Sequence, residues 1–308
     1  MIGYCRFSHR MQKLSAQSKT PLKYYTTAIM RGVPSTLTQA LSMSSPVEPI
    51  TFTKAKAQHD MYVRTMKTIL PSSIELDADG KYPDCVFIED TAVVIDDKAV
   101  ITRIGAESRI GEVEATKEAL LGLGLSVYDM RYDTDQATCD GGDVLYPVSY
   151  VHHGTGYQKK GGKHLFVGIS SRTNHDAAEY LQRIFPHVEV IPVDLCHVTG
   201  EALHLKSIVT HIDEKTLLVP MGKIFDDLCT FMRAEERGYE VVRLPDIAGC
   251  NVCSVNGYII ASPTICDESK FILQREVAKR GMTLLYVDAS EFAKCDGALT
   301  CKSILIPP

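Results

Sequence analysis

Ala99-Val100-Ile101-Thr102, a helical stretch around Gly111 to Leu121, and then Val127-Tyr128-Asp129 make up the segment that decides the fold. An apolar strand runs into a turn, an amphipathic helix follows, and a second apolar strand ends in Asp. The layout returns from His164-Leu165-Phe166-Val167 through Ala177 and Ile184 to Ile191-Pro192-Val193-Asp194. It returns again from Thr216-Leu217-Leu218-Val219 through Phe225 and Glu235 to Arg243-Leu244-Pro245-Asp246. A last copy runs from Tyr258-Ile259-Ile260-Ala261 through Lys270 and Lys279 to Leu285-Tyr286-Val287-Asp288. Every copy spans 30 positions from its first strand residue to its closing Asp: 99 to 129, 164 to 194, 216 to 246 and 258 to 288.

A fixed internal period marks a repeat architecture. Each copy has the size of a strand-helix-strand crossover, whose two strands lie parallel. Such a unit cannot bury its apolar face alone, so neighbours must share a core. Between the copies lie segments that read as additional strands: Cys85-Val86-Phe87-Ile88, Asp143-Val144-Leu145-Tyr146, Ser207-Ile208-Val209-Thr210 and Cys253-Ser254-Val255. A fifth unit assembles from the chain ends, with Lys302-Ser303-Ile304-Leu305-Ile306 beside a strand over Tyr25 to Met30. Spacing alone leaves the order of the units around a ring open.

At 308 residues, with 45% apolar and 23% charged side chains, the composition is that of an ordinary globular protein. A net charge of -5 gives no basic footprint for nucleic acid. No apolar run approaches the roughly 20 residues of a membrane span. Ten cysteines without dense regular spacing read as reduced thiols in an intracellular setting, cytoplasmic or mitochondrial. The mitochondrial alternative comes from the N-terminus. Arg6, Arg10, Lys13, Lys19, Lys23 and Arg31 precede the first acidic residue, Glu48, in a Ser-containing stretch. That is the composition of a transit peptide, or equally of a solvated arm. Residues 1–23 are expected to form a disordered basic extension, and 24–308 a single catalytic domain.

The additional segments carry the unusual polar residues at one phase of the repeat: Asp84 with Glu89-Asp90, Asp140-Gly141-Gly142-Asp143, His204, Asn251 and Cys301. One polar island per unit is what a pseudo-symmetric ring needs to build a central site. Taken singly, Asp and Gly are common turn residues, and a Cys or His in an apolar run is ordinarily core. A thiol and an imidazole become a chemical pair only where the fold joins them.

Together these islands resemble dimethylarginine dimethylaminohydrolase. The likeness rests on Pro83 through Val94, Asp140 through Leu145, Ser171-Arg172-Thr173-Asn174, Leu203-His204-Leu205-Lys206-Ser207 and Asp296 through Cys301, in that order. It runs from about Thr26 to the C-terminus. The resemblance implies the α/β pentein fold, a five-bladed propeller of pseudo-symmetric ββαβ units. It also implies hydrolysis of free methylated arginine to citrulline and a methylamine, without a metal or organic cofactor. Cys301 matches the family's nucleophile, His204 its general acid and base, and Asp140 the acid that orients the imidazole. Glu89 and Asp90 match the carboxylates that hold the guanidinium, a planar cation well gripped by such acids. Arg109 and Arg172 match the residues that hold the α-carboxylate, where a rigid fork of donors outperforms Lys. Asp84 matches the residue near the α-amino group. Leu41, in a lid over 31–41, and Cys295 complete the substrate-binding set. A monomer or homodimer is expected, with a small molecule as the only other partner. A thiolate beside an imidazole could also take zinc as an inhibitor at Cys301 and His204.

Some features depart from the family. Residues 147–163, with His152-His153 and Lys159-Lys160, stand where a tight hairpin is usual, and read as a surface loop rather than a metal site. Cys196-His197-Val198-Thr199-Gly200-Glu201 lengthens the approach to His204. Cys250-Asn251-Val252-Cys253 is a C-x-x-C, but structural zinc needs two more ligands and only Cys196-His197 offers them, so two buried thiols are expected. Two other functions remain compatible with the islands: an arginine deiminase or amidinotransferase, and a pentein binding protein without catalysis.

Overall fold

The computed structural model describes residues 25–153, 156–196 and 203–308. The predicted extension over 1–23 and the lengthened approach at 197–202 lie outside the described residues. Those described form five three-stranded sheets and one two-stranded sheet.

In each repeat copy the period-30 strands pair in parallel. Lys98–Ile101 lies beside Ser126–Asp129, His164–Ile169 beside Glu189–Asp194, Thr216–Pro220 beside Glu240–Leu244, and Tyr258–Ala261 beside Thr283–Tyr286. A helix makes each crossover: Val113–Gly122, His175–Ile184, Lys223–Met232 and Asp267–Lys279. Asn174 starts the second by accepting the Ala177 N–H, and Arg233, with φ of 49°, stops the third. The third helix therefore ends short of Glu235. The fifth unit forms from the two chain ends as expected. Thr27–Arg31 pairs in parallel with Ser72–Leu76 across the helix Phe52–Ile69, and antiparallel with Ile304–Ile306.

Each sheet is completed by an antiparallel strand: Ala92–Ile95, Val144–Leu145, Thr210–Asp213, Cys253–Val255 or Ile304–Ile306. Two of the additional strands read from sequence are displaced. Cys85 to Ile88 is not a strand; that strand begins at Ala92. Ser207 and Ile208 belong to a helical turn, and their strand begins at Thr210. Before every antiparallel strand stands one helical turn: Ile88–Thr91, Gly141–Asp143, Leu205–Ile208, Ala248–Cys250 or Thr300–Lys302. Buried apolar side chains dominate these stretches, and apolar content in so short a run cannot separate strand from buried turn.

Hydrogen bonds join the five turns, or the residue just beyond one, into a closed circle in chain order. Gly142 N donates to Asp90 Oδ1 at 3.0 Å, Leu205 N to Asp143 Oδ1 at 2.9 Å, and Asn251 Nδ2 to the Lys206 carbonyl at 2.9 Å. Leu299 N donates to Asn251 Oδ1 at 3.1 Å, and Thr300 Oγ1 to Glu89 Oε2 at 3.0 Å. This is the ring of ββαβ units that the resemblance implies, with the polar islands at its centre.

The insertion at 147–163 is a correction to the loop expected there. Val148–His153 and Gly156–Gly161 pair as an antiparallel hairpin. Val148, Tyr150 and Val151 are buried, and the Tyr150 ring meets Tyr25 edge-on at 5.5 Å. Lys159 Nζ binds Asp96 at 2.6 Å, which fixes the second strand against the ring.

Candidate active site

A cavity of about 230 Å³ opens on one side of the circle. Its walls include Leu41, Asp84, Asp90, Arg109, Arg172, His204, Cys295 and Cys301, so eight of the ten residues predicted for the site meet in one place. Asp140 stands behind His204, with Oδ2 at 3.0 Å from Nε2. Glu89 does not line this cavity. Its side chain accepts from Lys206 Nζ at 2.6 Å and from Thr300, and faces a second cavity of about 150 Å³ with Tyr25, Tyr146 and Tyr150.

Close approach explains the two glycines. A Cβ on Gly142 would lie 2.6 Å from His204 Nδ1 and 2.9 Å from Asp90 Oδ1, and one on Gly141 would lie 2.0 Å from the Glu89 carbonyl oxygen. The Asp-Gly-Gly-Asp turn is thus the surface on which the imidazole, the Asp90 carboxylate and the Glu89 backbone rest. Asp140 also accepts the Gly105 N–H at 2.8 Å, which aims its carboxylate at His204.

Charge sets the imidazole. Burial opposes its protonation, but Asp90, the hydrogen bond to Asp140 and Asp143 outweigh burial and raise the His204 pKa to about 9. Burial likewise opposes the Asp90 carboxylate, yet His204 and Arg109 hold its pKa below the usual value. The Cys301 thiol goes the other way. Burial first, then the charges of Glu89 and Asp90, push it up to about 12. At neutral pH the resting pair is therefore an imidazolium and a neutral thiol.

Arg109 is buried and bonded to Asp90 at 2.8 Å, to Glu112 at 2.9 Å and to the Phe87 carbonyl at 3.2 Å. Arg172 differs. Its Nη1 is buried and has no hydrogen-bond partner among the described residues, and the residue lines the cavity. An anionic group is the natural complement of that atom. Asp84 accepts the Leu41 N–H at 3.1 Å, which brings the lid residue Leu41 to the cavity. Burial raises the Asp84 pKa against the opposing charge of Arg109.

Four supporting residues had no role in the sequence reading. Glu112 is buried against Arg109, and burial raises its pKa to about 7. Asp143 accepts from Leu205 N and from the Ser170 and Thr173 hydroxyls, fixing the turn that follows His204. Asn251 Oδ1 takes the N–H groups of Leu299 and Thr300 and so sets the turn that carries Cys301. Lys302 is fully buried over the rings of Tyr62 at 4.2 Å and Phe292 at 5.0 Å, with no hydrogen-bond partner for Nζ among the described residues. Asp143 and Asn251 were visible as members of polar islands; Glu112 and Lys302 gave no signal beyond ordinary helix and strand charges.

Cys250 and Cys253 are buried free thiols, as expected of that C-x-x-C. Among the described residues, the acids, thiols and imidazoles close enough to share an ion are Asp90, Asp140 and His204, with ligand atoms within 4.8 Å of one another. Cys301 is not a member of that group of three, though it lines the same cavity as His204. Among the described residues no helix is long and apolar enough to cross a membrane.

Comparison with known proteins agrees with this geometry. No family model matches the chain. The N(G),N(G)-dimethylarginine dimethylaminohydrolase of Streptomyces coelicolor is 30% identical over 256 residues, covering 81% of this chain and 85% of the relative. The protein of the same name from Pseudomonas aeruginosa is 26% identical, over 82% of this chain and 89% of its own length. A solved structure of the Pseudomonas aeruginosa enzyme, a cysteine-to-serine mutant in complex with citrulline, has a TM-score of 0.74 at 25% identity and covers 92% of this chain and 99% of that one. The N-terminal domain of a cyanobacterial arginine dihydrolase shares the fold, with a TM-score of 0.71 at 19% identity over 91% of this chain and 98% of that domain.

Proposed function

The chain belongs to the dimethylarginine dimethylaminohydrolase family, and from that premise we propose that it hydrolyses free N(G)-methylated arginine to citrulline and the corresponding methylamine. The observation that carries the reading is the meeting of Cys301, the Asp140-oriented His204 and the unpaired Arg172 Nη1 around one cavity that also holds Asp90.

In this reading the substrate α-carboxylate takes the free donor of Arg172, with Arg109 beside it, and the α-ammonium goes to Asp84. The guanidinium, itself a cation, lies against Asp90 and next to Cys301. Burial first, and then Glu89 and Asp90, hold the thiol at about 12; the substrate's charge offsets the carboxylate part of that, so its arrival favours the thiolate, whose proton leaves to solvent. The Cys301 sulfur attacks the guanidinium carbon and a C–S bond forms. The C–N bond to the methylated nitrogen breaks as His204, already protonated, gives its proton to the departing amine. The neutral imidazole then takes a proton from water, whose oxygen attacks the same carbon. The C–S bond breaks, citrulline leaves and the thiol is restored. No step needs a metal.

Purified protein should release citrulline and dimethylamine in equal amounts from asymmetric dimethylarginine. Monomethylarginine should also react, and unmethylated arginine more slowly. A clear preference for arginine, with ammonia as the co-product, would assign the deiminase reaction instead. Binding of methylarginine without turnover would assign the non-catalytic role.

A further inference from the structure

Residues 41–43 roof the catalytic cavity, and two carboxylates on different walls hold their backbone. Leu41 N donates to both oxygens of Asp84, at 3.1 and 3.3 Å. Met43 N donates to Asp296 Oδ2 at 2.5 Å. These two tethers are not equivalent. Asp84 is the acid that the proposed reaction gives to the substrate's α-ammonium, so the bound ammonium competes with Leu41 N–H for it. Asp296 receives nothing from the substrate in that arrangement and keeps Met43 throughout.

The backbone at Asp296 is built for this contact. Its φ is 57°, a left-handed conformation that Asp and Asn tolerate better than most residues. Gly297 then passes so close to Phe87 that a Cβ would sit 2.2 Å from the ring, which fixes the path of the chain beyond the carboxylate. Met43 and Asp296 also line a neighbouring cleft of about 340 Å³, which shares Leu203 and Gly297 with the catalytic cavity. Their hydrogen bond is thus a seam between the reaction chamber and a more open space.

We propose that Asp296 is a positioning residue whose carboxylate keeps the lid seated on the cavity through Met43 N–H while Asp84 is handed from Leu41 to the substrate. The proposal rests on the methylarginine reading, since it needs a substrate cation at Asp84. Loss of the tether weakens retention of substrate and leaves the reacting groups in place.

Two variants of the full chain separate the acceptor from the backbone. Asp296→Gly keeps the left-handed conformation and deletes the acceptor; Asp296→Asn keeps both. In Asp296→Gly, amide hydrogen exchange of residues 41–43 should accelerate about tenfold, and KM for asymmetric dimethylarginine should rise about five- to tenfold with kcat within about twofold, the scale of one lost charge-assisted hydrogen bond. Asp296→Asn should remain within about twofold of wild type in both measurements, because an amide oxygen still accepts. In the wild type the Met43 amide should exchange slowly with or without citrulline. Fast exchange there, unchanged exchange and KM in Asp296→Gly, or equal impairment of both variants would each overturn the tether. If no methylarginine is turned over at all, the exchange measurements still decide the contact while the proposed activity falls separately.

Discussion

Across the catalytic cavity, the wall from the first two units is bonded almost atom for atom, while the wall from the fifth unit is left electrically unfinished. On the first, Arg109 binds Asp90, Glu112 and the Phe87 carbonyl, Asp140 binds His204 and Gly105, and Asp143 binds three further groups. On the second, Cys295 and Cys301 are thiols that burial holds near a pKa of about 12, and the Lys302 amine has no acceptor among the described residues. The difference teaches where each wall's chemistry is set. Preorganised acids fix the charge and orientation of the imidazole before any ligand arrives. On the other wall, burial holds both thiols in their neutral form at neutral pH.

The comparison breaks most completely at the sulfur. Cys301→Ser should lower kcat for methylarginine by about 10⁴-fold or more, the scale seen when a nucleophile is removed. The Tm should barely move, because one buried atom changes and nothing on the acid wall depends on it. Substantial residual turnover, measured as citrulline formed, would take the chemistry away from this wall.

On the opposite wall Asp140→Asn tests orientation rather than reaction. The amide can no longer stabilise an imidazolium, and it can present its NH₂ to Nε2. kcat should fall by roughly 10²- to 10⁴-fold. A drop of less than about fivefold would mean that Asp90 alone holds His204 in its working state.

Arg172 belongs to neither pattern and gives an intermediate effect. Arg172→Ala should raise KM by about 10- to 100-fold with a smaller change in kcat, because a charged hydrogen bond to the substrate is lost. Decarboxylated substrate, which lacks the anion, should be indifferent to the substitution. Equal loss for both compounds would place Arg172 in the scaffold.

How far this asymmetry could be read from the chain follows from the same residues. The period of 30, the parallel pairing and the closing of the fifth unit were all legible, because strand-helix-strand patterning is local. Cys301, His204 and Asp140 were legible as polar islands at one phase, and their roles came from family resemblance. Turn against strand was not legible at Cys85 to Ile88 or Ser207 to Thr210, where buried apolar residues serve either. The hairpin in 147–163 was hidden by its Gly and Lys content; Tyr150 and Val151 become buried only against the ring. Glu112 and Lys302 could not be found at all, since burial of a charge depends on elements far away in sequence.

The pH dependence sharpens the contrast further. Folded His204 titrates at about 9 and free Cys301 at about 12, so the productive thiolate and imidazolium form has one proton fewer than the resting pair. Accordingly kcat/KM should climb about tenfold per pH unit up to near 9 and then level. The stability carried by the charged imidazole has the opposite sign. It is complete below pH 6.5 and lost as pH rises through about 9, because the folded pKa is the higher one. A flat kcat/KM profile from pH 6 to 8 would show that the thiol is already ionised in the free protein.

The smallest expected effect lies under the thiol. Burial pushes the Lys302 amine down to about 7, against the weaker pull of Cys301, Cys253 and Asp288. Desolvation therefore costs the fold a charge that the unfolded chain keeps up to about 10.5. A group with a lowered basic pKa leaves the protein most stable above 10.5; stability falls as pH drops from there to about 7 and levels off below it. Lys302→Met fills the same aromatic slot between Tyr62 and Phe292 without that penalty. It should raise Tm by roughly 2–4 °C at pH 7, with about the same gain at pH 6 and a smaller one at pH 9. A pH-independent gain would reduce the effect to packing. A loss of Tm would mean that the ammonium's contact with the two rings outweighs its desolvation, and that the thiol wall is better satisfied than its missing hydrogen bonds imply.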